Sequence, residues 1–212
     1  MSSAQRILFV CEANVCRSPL MEAVFRASFP SEAWHVSSRG TKVPRGAREM
    51  CATAARVAGV LENSHVPTQI TAQDILDHGL VITAGRAERA AVVEWDRAAR
   101  EKTFTLREAL LLGAPPAHDP VDHGAPGDSN GSGADGPQTL DQYVAALHHR
   151  RGLVDLPEVR RVPILQREPI HPLDIRDVHG LGPLTHRSTL RSTMRRTQLL
   201  GEQLRSAEIS PD

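Results

Sequence analysis

The stretch VCEANVCRSP, residues 10–19, places two cysteines, an arginine and a serine in one short segment. Cys11 follows the apolar run RILFV, and residues 12–16 separate it from Arg17. A loop that leaves the C-terminal end of a buried parallel strand and enters a helix points its backbone N–H groups at a common centre, which is a geometry that binds an oxyanion such as phosphate. The helix dipole and the Arg17 guanidinium both favour a thiolate at Cys11. Arginine also grips two non-bridging oxygens at once, which lysine cannot do. Ser18 is placed to donate a hydrogen bond to the thiolate. An activated thiolate beneath a bound phosphate is what covalent phosphoryl transfer through a phosphocysteine requires. Plainer readings compete with it. A cysteine at a strand end is most often a small buried hydrophobe, and Cys-x5-Arg alone is a weak pattern. The preceding strand and the following Ser-Pro and helix favour the phosphate cradle. Cys11 and Cys16 have an unusual spacing for a metal clip and no matching ligand pair stands out, so no metal is expected.

The elements that must position these residues follow from periodicity. RILFV (6–10) reads as a buried parallel strand. SPLMEAVFRASF (18–29) carries Leu20, Met21, Val24 and Phe25 at helical spacing, with Pro19 tolerated in the first turn. WHVSSRGT is a second strand ending at Gly40. REMCATAARVAGV (48–60) is an amphipathic helix stopping near Gly59, with Cys51 a small buried residue on it. ITAQDILDHG is a short helix with Thr71 as N-cap and Gly79 as stop. LVIT (80–83) is a buried strand, RAERAAVVEWDRAARE (86–101) a helix, and TFTLREALLL (103–112) a short strand or turn leading into a helix. TLDQYVAALHHRRG (139–152) is helical. PLTHRSTLRSTMRRTQLLGEQLRS (183–206) is a long amphipathic helix with Leu190, Met194, Leu199 and Leu204 among its apolar positions. Strands alternating with helices imply an α/β fold with a parallel sheet covered on both faces. One domain over 1–212 is expected. Residues 113–138 are dense in Gly, Pro, Asp and Ser without periodicity and read as a disordered insertion. Residues 153–169 are irregular and interrupted by proline.

Composition narrows the function. The chain has 212 residues, 40% hydrophobic and 24% charged, with a formal net charge of zero, so no global field steers it onto nucleic acid. No apolar run approaches the roughly 20 residues needed to span a bilayer. The apolar run near the N-terminus is too short for a signal peptide, so a cytoplasmic protein with no membrane partner is expected. Three cysteines do not make a disulfide framework. The ten histidines offer no His-x3-His pair backed by a carboxylate.

FVCEANVCRSPLMEAVF is similar to the signature V-C-x-G-N-x-C-R-S-P-x-A-E of the low-molecular-weight protein tyrosine phosphatases. VSSRGT resembles that family's V-S-S-A-G-T strand end, and LVITAGRAERAAVVEWDRAAREKTFTLRE its middle strand-helix-strand region. The resemblance implies a four-stranded parallel sheet flanked by helices. It implies Cys11 as nucleophile, Arg17 as transition-state clamp, Ser18 as thiolate stabiliser and Asn14 as the residue that shapes the loop. Glu12, Ala13, Val15 and Cys16 complete the phosphate-binding loop. Cys16 matches the second loop cysteine, which in the family pairs with the nucleophile under oxidation. Ala13 stands where the family has glycine. If glycine serves a positive φ there, Ala13 strains the loop.

The family takes its general acid from a late loop, usually Asp-Pro before the last helix. Asp177, in PLDIRDVHGLGPLTHRSTL, matches by position and is preferred to Asp119 of the Asp119-Pro120 pair, with Asp174 a third candidate. Val178 replaces the proline and makes the loop less rigid. The positions that carry aromatic walls in the family hold Pro44, Val178 and His179, and the only tyrosine, Tyr143, lies on a predicted helix. His179 is expected at the pocket mouth. Glu12 favours a cationic leaving group such as phosphoarginine, unless it faces solvent or pairs with Arg39. The expected function is a cysteine-dependent phosphatase, needing no cofactor, that hydrolyses protein phosphotyrosine or a related phospho-residue, or a small phosphomonoester. The alternatives are a phosphoarginine phosphatase and a catalytically weak phosphate-binding regulatory module. An arsenate reductase needs relay cysteines, and Cys51 on an early helix argues against one.

Overall fold

The computed structural model describes residues 5–30, 34–114, 139–155, 170–180, 182–207 and 209. The insertion beyond Ala114, including Asp119, and most of the irregular 153–169 segment lie outside the described residues.

Strands β1 (Gln5–Cys11), β2 (Trp34–Gly40), β3 (Leu80–Thr83) and β4 (Thr103–Thr105) form one sheet in the order β2-β1-β3-β4, all parallel. Alternate residues of β1 enter opposite cores, as the two-residue period of a strand dictates. Ile7, Phe9 and Cys11 pack with Met21 and Phe25 of α1 (Arg17–Ser28), Leu112 of α5 (Leu106–Gly113), Leu147 of α6 (Leu140–Arg150) and Leu200 and Leu204 of α7 (Pro183–Ser206). Leu8 and Val10 pack on the other face with Ile75 of α3 (Ala72–Asp77) and Val92 of α4 (Arg86–Trp95). Burial on both faces is why RILFV is a continuous apolar run. Register aligns the strand ends: Cys11 pairs with Gly40, and Val10 with Thr83. The C-terminal edge of the sheet therefore gathers the loops after β1, β2 and β3.

The local signals hold where capping chemistry is explicit. Thr71 caps α3 in a capping box with Asp74, and Gly59 ends α2 (Ala52–Ala58) at φ +75°. Three expectations shift. Helix α2 starts only at Ala52, because Cys51 is its N-cap and is half-buried rather than a core residue. The 86–101 helix breaks at Asp96, whose side chain accepts the Ala98 N–H at 2.9 Å and caps a separate 3-10 turn, Arg97–Glu101. On α7, Leu199 is exposed, and Leu200 and Gly201 face inward in its place. Helices α1, α2 and α7 share a third cluster of Cys16, Leu20, Val24, Met50, Ala54 and Leu190, which fastens the last helix beside the loop after β1. No helix among the described residues is long and apolar enough to cross a membrane.

Candidate active site

The loop between β1 and α1 is held by Asn14. This residue is fully buried and has φ +54°, the only positive φ among the described non-glycine residues. Its side-chain amide donates to Ser18 Oγ at 2.9 Å and Ser38 Oγ at 3.0 Å, and its Oδ1 accepts the Thr68 N–H at 2.8 Å. His65 Nε2 lies 3.0 Å from the Asn14 carbonyl oxygen, an acceptor only, so that nitrogen carries the proton. Burial pushes the pKa of His65 down. Ala13 does not need the left-handed region, so alanine there imposes no strain. Gly40 is required on β2. A Cβ would come 2.6 Å from Val43 Cγ2 and 2.8 Å from the Glu12 carbonyl oxygen, while Thr41 and Lys42 donate their N–H groups to Cys11 and Glu12 at 2.9 and 2.8 Å. Among the described residues, the backbone N–H groups of residues 12–17 meet no protein acceptor, the condition for an anion cradle at a helix start.

Cys11 is buried at the strand end, its Sγ 3.0 Å from Ser18 Oγ. Asn14 already donates to Ser18, so the Ser18 hydroxyl hydrogen is left for Cys11 or for the more distant Arg39 carbonyl at 3.3 Å. Arg17 opens α1, buried, with Nη1 3.2 Å from Glu88 Oε1 and Nη2 3.4 Å from Asp177 Oδ2. Burial alone would lower its pKa, but the charges of Cys11, Glu88, Asp177 and Glu12 outweigh that and raise it. Arg17 is thus a fixed cation with both edges of its guanidinium oriented.

The segment before α7 carries Asp177 to this cation. Ile175 N–H donates to the Ala84 carbonyl at 2.8 Å, and Asp174 accepts the Arg86 N–H at 2.8 Å and its guanidinium at 3.1 Å. Asp174 is therefore committed to Arg86. Burial raises its pKa, but those hydrogen bonds prevail and hold it low. Asp177 is half-exposed, with Oδ1 accepting the His179 N–H at 3.0 Å. Val178 is buried rather than facing a pocket, so packing fixes the segment where the family uses a proline. His179 and Pro44 are exposed. Glu12 is exposed too, and Arg39 pairs with Asp74 at 2.9 Å instead of with Glu12. Val15 and Cys16 turn their side chains toward the cluster shared by α1, α2 and α7.

Sequence reasoning missed Glu88, Ser38, His65 and a second thiol site. Ser38 stands in the quoted VSSRGT, and Glu88 in the first turn of the helix after β3, where a carboxylate also suits the dipole. Cys51 accepts the Ala54 N–H at 3.4 Å and lies against Cys16 and His186, a grouping that no spacing announces. The nearby Cys51 thiol, with burial, pushes Cys16 up, whereas the Cys16 thiol brings Cys51 down to about 7 against the effect of burial.

A buried cysteine under an amide-lined loop, a fixed arginine and a carboxylate at the rim define a cysteine enzyme that handles phosphate. The family model for low molecular weight phosphotyrosine protein phosphatases matches residues 6–113, and the chain belongs to that family. It is 30% identical over 105 residues to the protein-arginine-phosphatase of Bacillus subtilis, covering 48% of this chain and 70% of that one. It is also 30% identical over 89 residues to the low molecular weight protein-tyrosine-phosphatase Wzb of Salmonella typhi, covering 42% of this chain and 60% of that one. The fold matches that of the YwlE arginine phosphatase from Geobacillus stearothermophilus, with TM-score 0.60 and 21% identity over 95% of this chain and 94% of that one. The Erwinia amylovora tyrosine phosphatase AmsI gives 0.56 and 18% over 97% and 93%.

Proposed function

We propose that this chain is a protein phosphatase that works through a phosphocysteine at Cys11. The observation that carries the reading is the contact of one buried arginine, Arg17, with Asp177 across the mouth of the loop that starts at Cys11. The Cys11 thiolate attacks phosphorus, and the S–P bond forms as the bond to the leaving group breaks. Arg17 and the N–H groups of residues 12–17 take up the charge on the phosphoryl oxygens. Asp177 gives its proton to the leaving atom. As a carboxylate it then takes a proton from the water that cleaves the S–P bond, which restores the thiolate and releases phosphate. Ser18 stabilises the thiolate, Asn14 holds the loop, the backbone of Glu12, Ala13, Val15 and Cys16 wraps the phosphate, and the Glu12 and His179 side chains stand at the mouth. A reducing cytoplasm suits a site whose chemistry needs a free thiol.

The substrate is a phosphorylated protein side chain. Exposed Glu12, not engaged by Arg39, favours phosphoarginine over phosphotyrosine, because a carboxylate beside the nucleophile attracts a guanidinium leaving group. The alignment with a protein-arginine-phosphatase supports the same choice. Hydrolysis of p-nitrophenyl phosphate under reducing conditions tests the reaction. Turnover is expected in the wild type, none in Cys11→Ser, and a fall of about a hundredfold or more in Asp177→Asn, the usual share of general acid–base catalysis. Asp119→Asn is expected to behave as wild type. An inert wild-type protein that still binds phosphate would replace this reading with a phosphate-binding module.

A further inference from the structure

Cys16 ends the loop, Cys51 precedes α2, and His186 lies in the first turn of α7. These elements are far apart in sequence, yet one ligand atom of each lies within 4.8 Å of the others. His186 Nε2 is 3.8 Å from Cys51 Sγ. His179 Nδ1 is 3.3 Å from Cys16 Sγ and the two imidazoles meet edge to face at 5.9 Å, but His179 lies outside the group whose ligand atoms are all mutually within 4.8 Å.

The three-residue group is compact enough to close on one metal ion. With zinc–sulfur bonds of about 2.3 Å and zinc–nitrogen bonds of about 2.0–2.1 Å, a tetrahedron has S···S edges of about 3.8 Å and S···N edges of about 3.6 Å. The Cys51–His186 pair, at 3.8 Å, is close to the S···N value. Two thiolates and an imidazole are soft and borderline ligands, which exclude calcium and magnesium and suit zinc. We propose that Cys16, Cys51 and His186 hold a zinc ion beside the phosphate loop, with its fourth position open to water. The ion would tie three segments together: the loop through Cys16, the start of α2 through Cys51, and the first turn of α7 through His186. The loop and the helix that follows the acid-bearing segment would then share one cross-link. Metal binding itself does not depend on the phosphatase reading.

The test uses the full chain, reduced and stripped of metal, titrated with cobalt(II) and then with zinc. One equivalent of cobalt is expected to give a thiolate-to-cobalt charge-transfer band and the intense visible absorption of a tetrahedral site, and zinc is expected to displace it. Cys51→Ser, which keeps a good helix N-cap, and His186→Ala, on a partly exposed position, are each expected to weaken zinc binding by at least about tenfold. Circular dichroism establishes that both variants are folded. Cys11→Ser is expected to bind metal as the wild type does. Absence of the charge-transfer band, affinity unchanged in both Cys51→Ser and His186→Ala, or loss of binding in Cys11→Ser would overturn the proposal; the last would place the metal on the nucleophile instead.

Discussion

Cys11, Arg17 and Ser18 lie close in sequence, but each is held by a different agent. Cys11 is fixed by sheet register, Ser18 by the Asn14 amide, and Arg17 by carboxylates from α4 and the segment before α7. The Asn14–Ser18 contact is local to residues 10–19, and the strand end at Cys11 could be read there too, although the register that fixes it with Gly40 could not. The third depends on Glu88, whose approach only the tertiary fold creates. Asp177 could be found by its position before the last helix, and the packing of Val178 explains how the segment keeps its shape without proline. Glu12 gives the residue-scale prediction. The ratio of kcat/KM for phosphoarginine over phosphotyrosine peptides is expected to exceed one and to fall about fivefold in Glu12→Gln, the worth of one screened charge pair. A ratio that does not change would remove Glu12 from specificity.

Strands and helices were legible because their signals are short-range: apolar runs, Thr caps and a terminal glycine. The exceptions have physical causes. Asp96 competes for backbone N–H groups and splits a helix whose apolar pattern continues through it. Leu199 and Leu200 are equally apolar, and only the packing partners of α7 decide which is buried. Gly201 belongs to the same face. A glycine inside a helix costs about 1 kcal/mol relative to alanine, and here it makes room for Phe29, which stacks on Phe25 at 4.8 Å and carries the Arg205 guanidinium at 4.5 Å. A Cβ at position 201 would occupy the space of the Phe29 ring. Gly201→Ala is therefore expected to lower stability by about 1–3 kcal/mol despite its better helix propensity, as read by urea unfolding. A more stable variant would show that the ring moves freely.

Across the whole molecule, buried imidazoles link folding to pH. Burial holds His65 and His78 below the ordinary histidine value. Below about pH 6.5 the unfolded chain binds protons that the folded chain refuses, so acidification favours unfolding. The stability they lend is thus full above that value and is lost as pH falls toward their folded pKa values. Asp74 and Asp174, also held low, add a further loss only below the ordinary aspartate range, near about pH 4. The urea midpoint is expected to drop between about pH 7.5 and 5.5, with a shallower slope in His65→Gln. A midpoint that stays level or rises on acidification would contradict this. The same scale explains what the sequence withheld: the Cys16–Cys51–His186 grouping needs α1, α2 and α7 packed together before its members meet.

The central claim is that phosphate passes through the sulfur of Cys11. Asp177→Asn mixed with p-nitrophenyl phosphate tests it most directly, since the good leaving group permits the first step while loss of the base slows the second. Intact mass spectrometry of the quenched protein is expected to show one added phosphoryl group, located on Cys11 by peptide mapping and absent in the double variant with Cys11→Ser. Turnover with no adduct on Cys11, or an adduct on another residue, would contradict the mechanism.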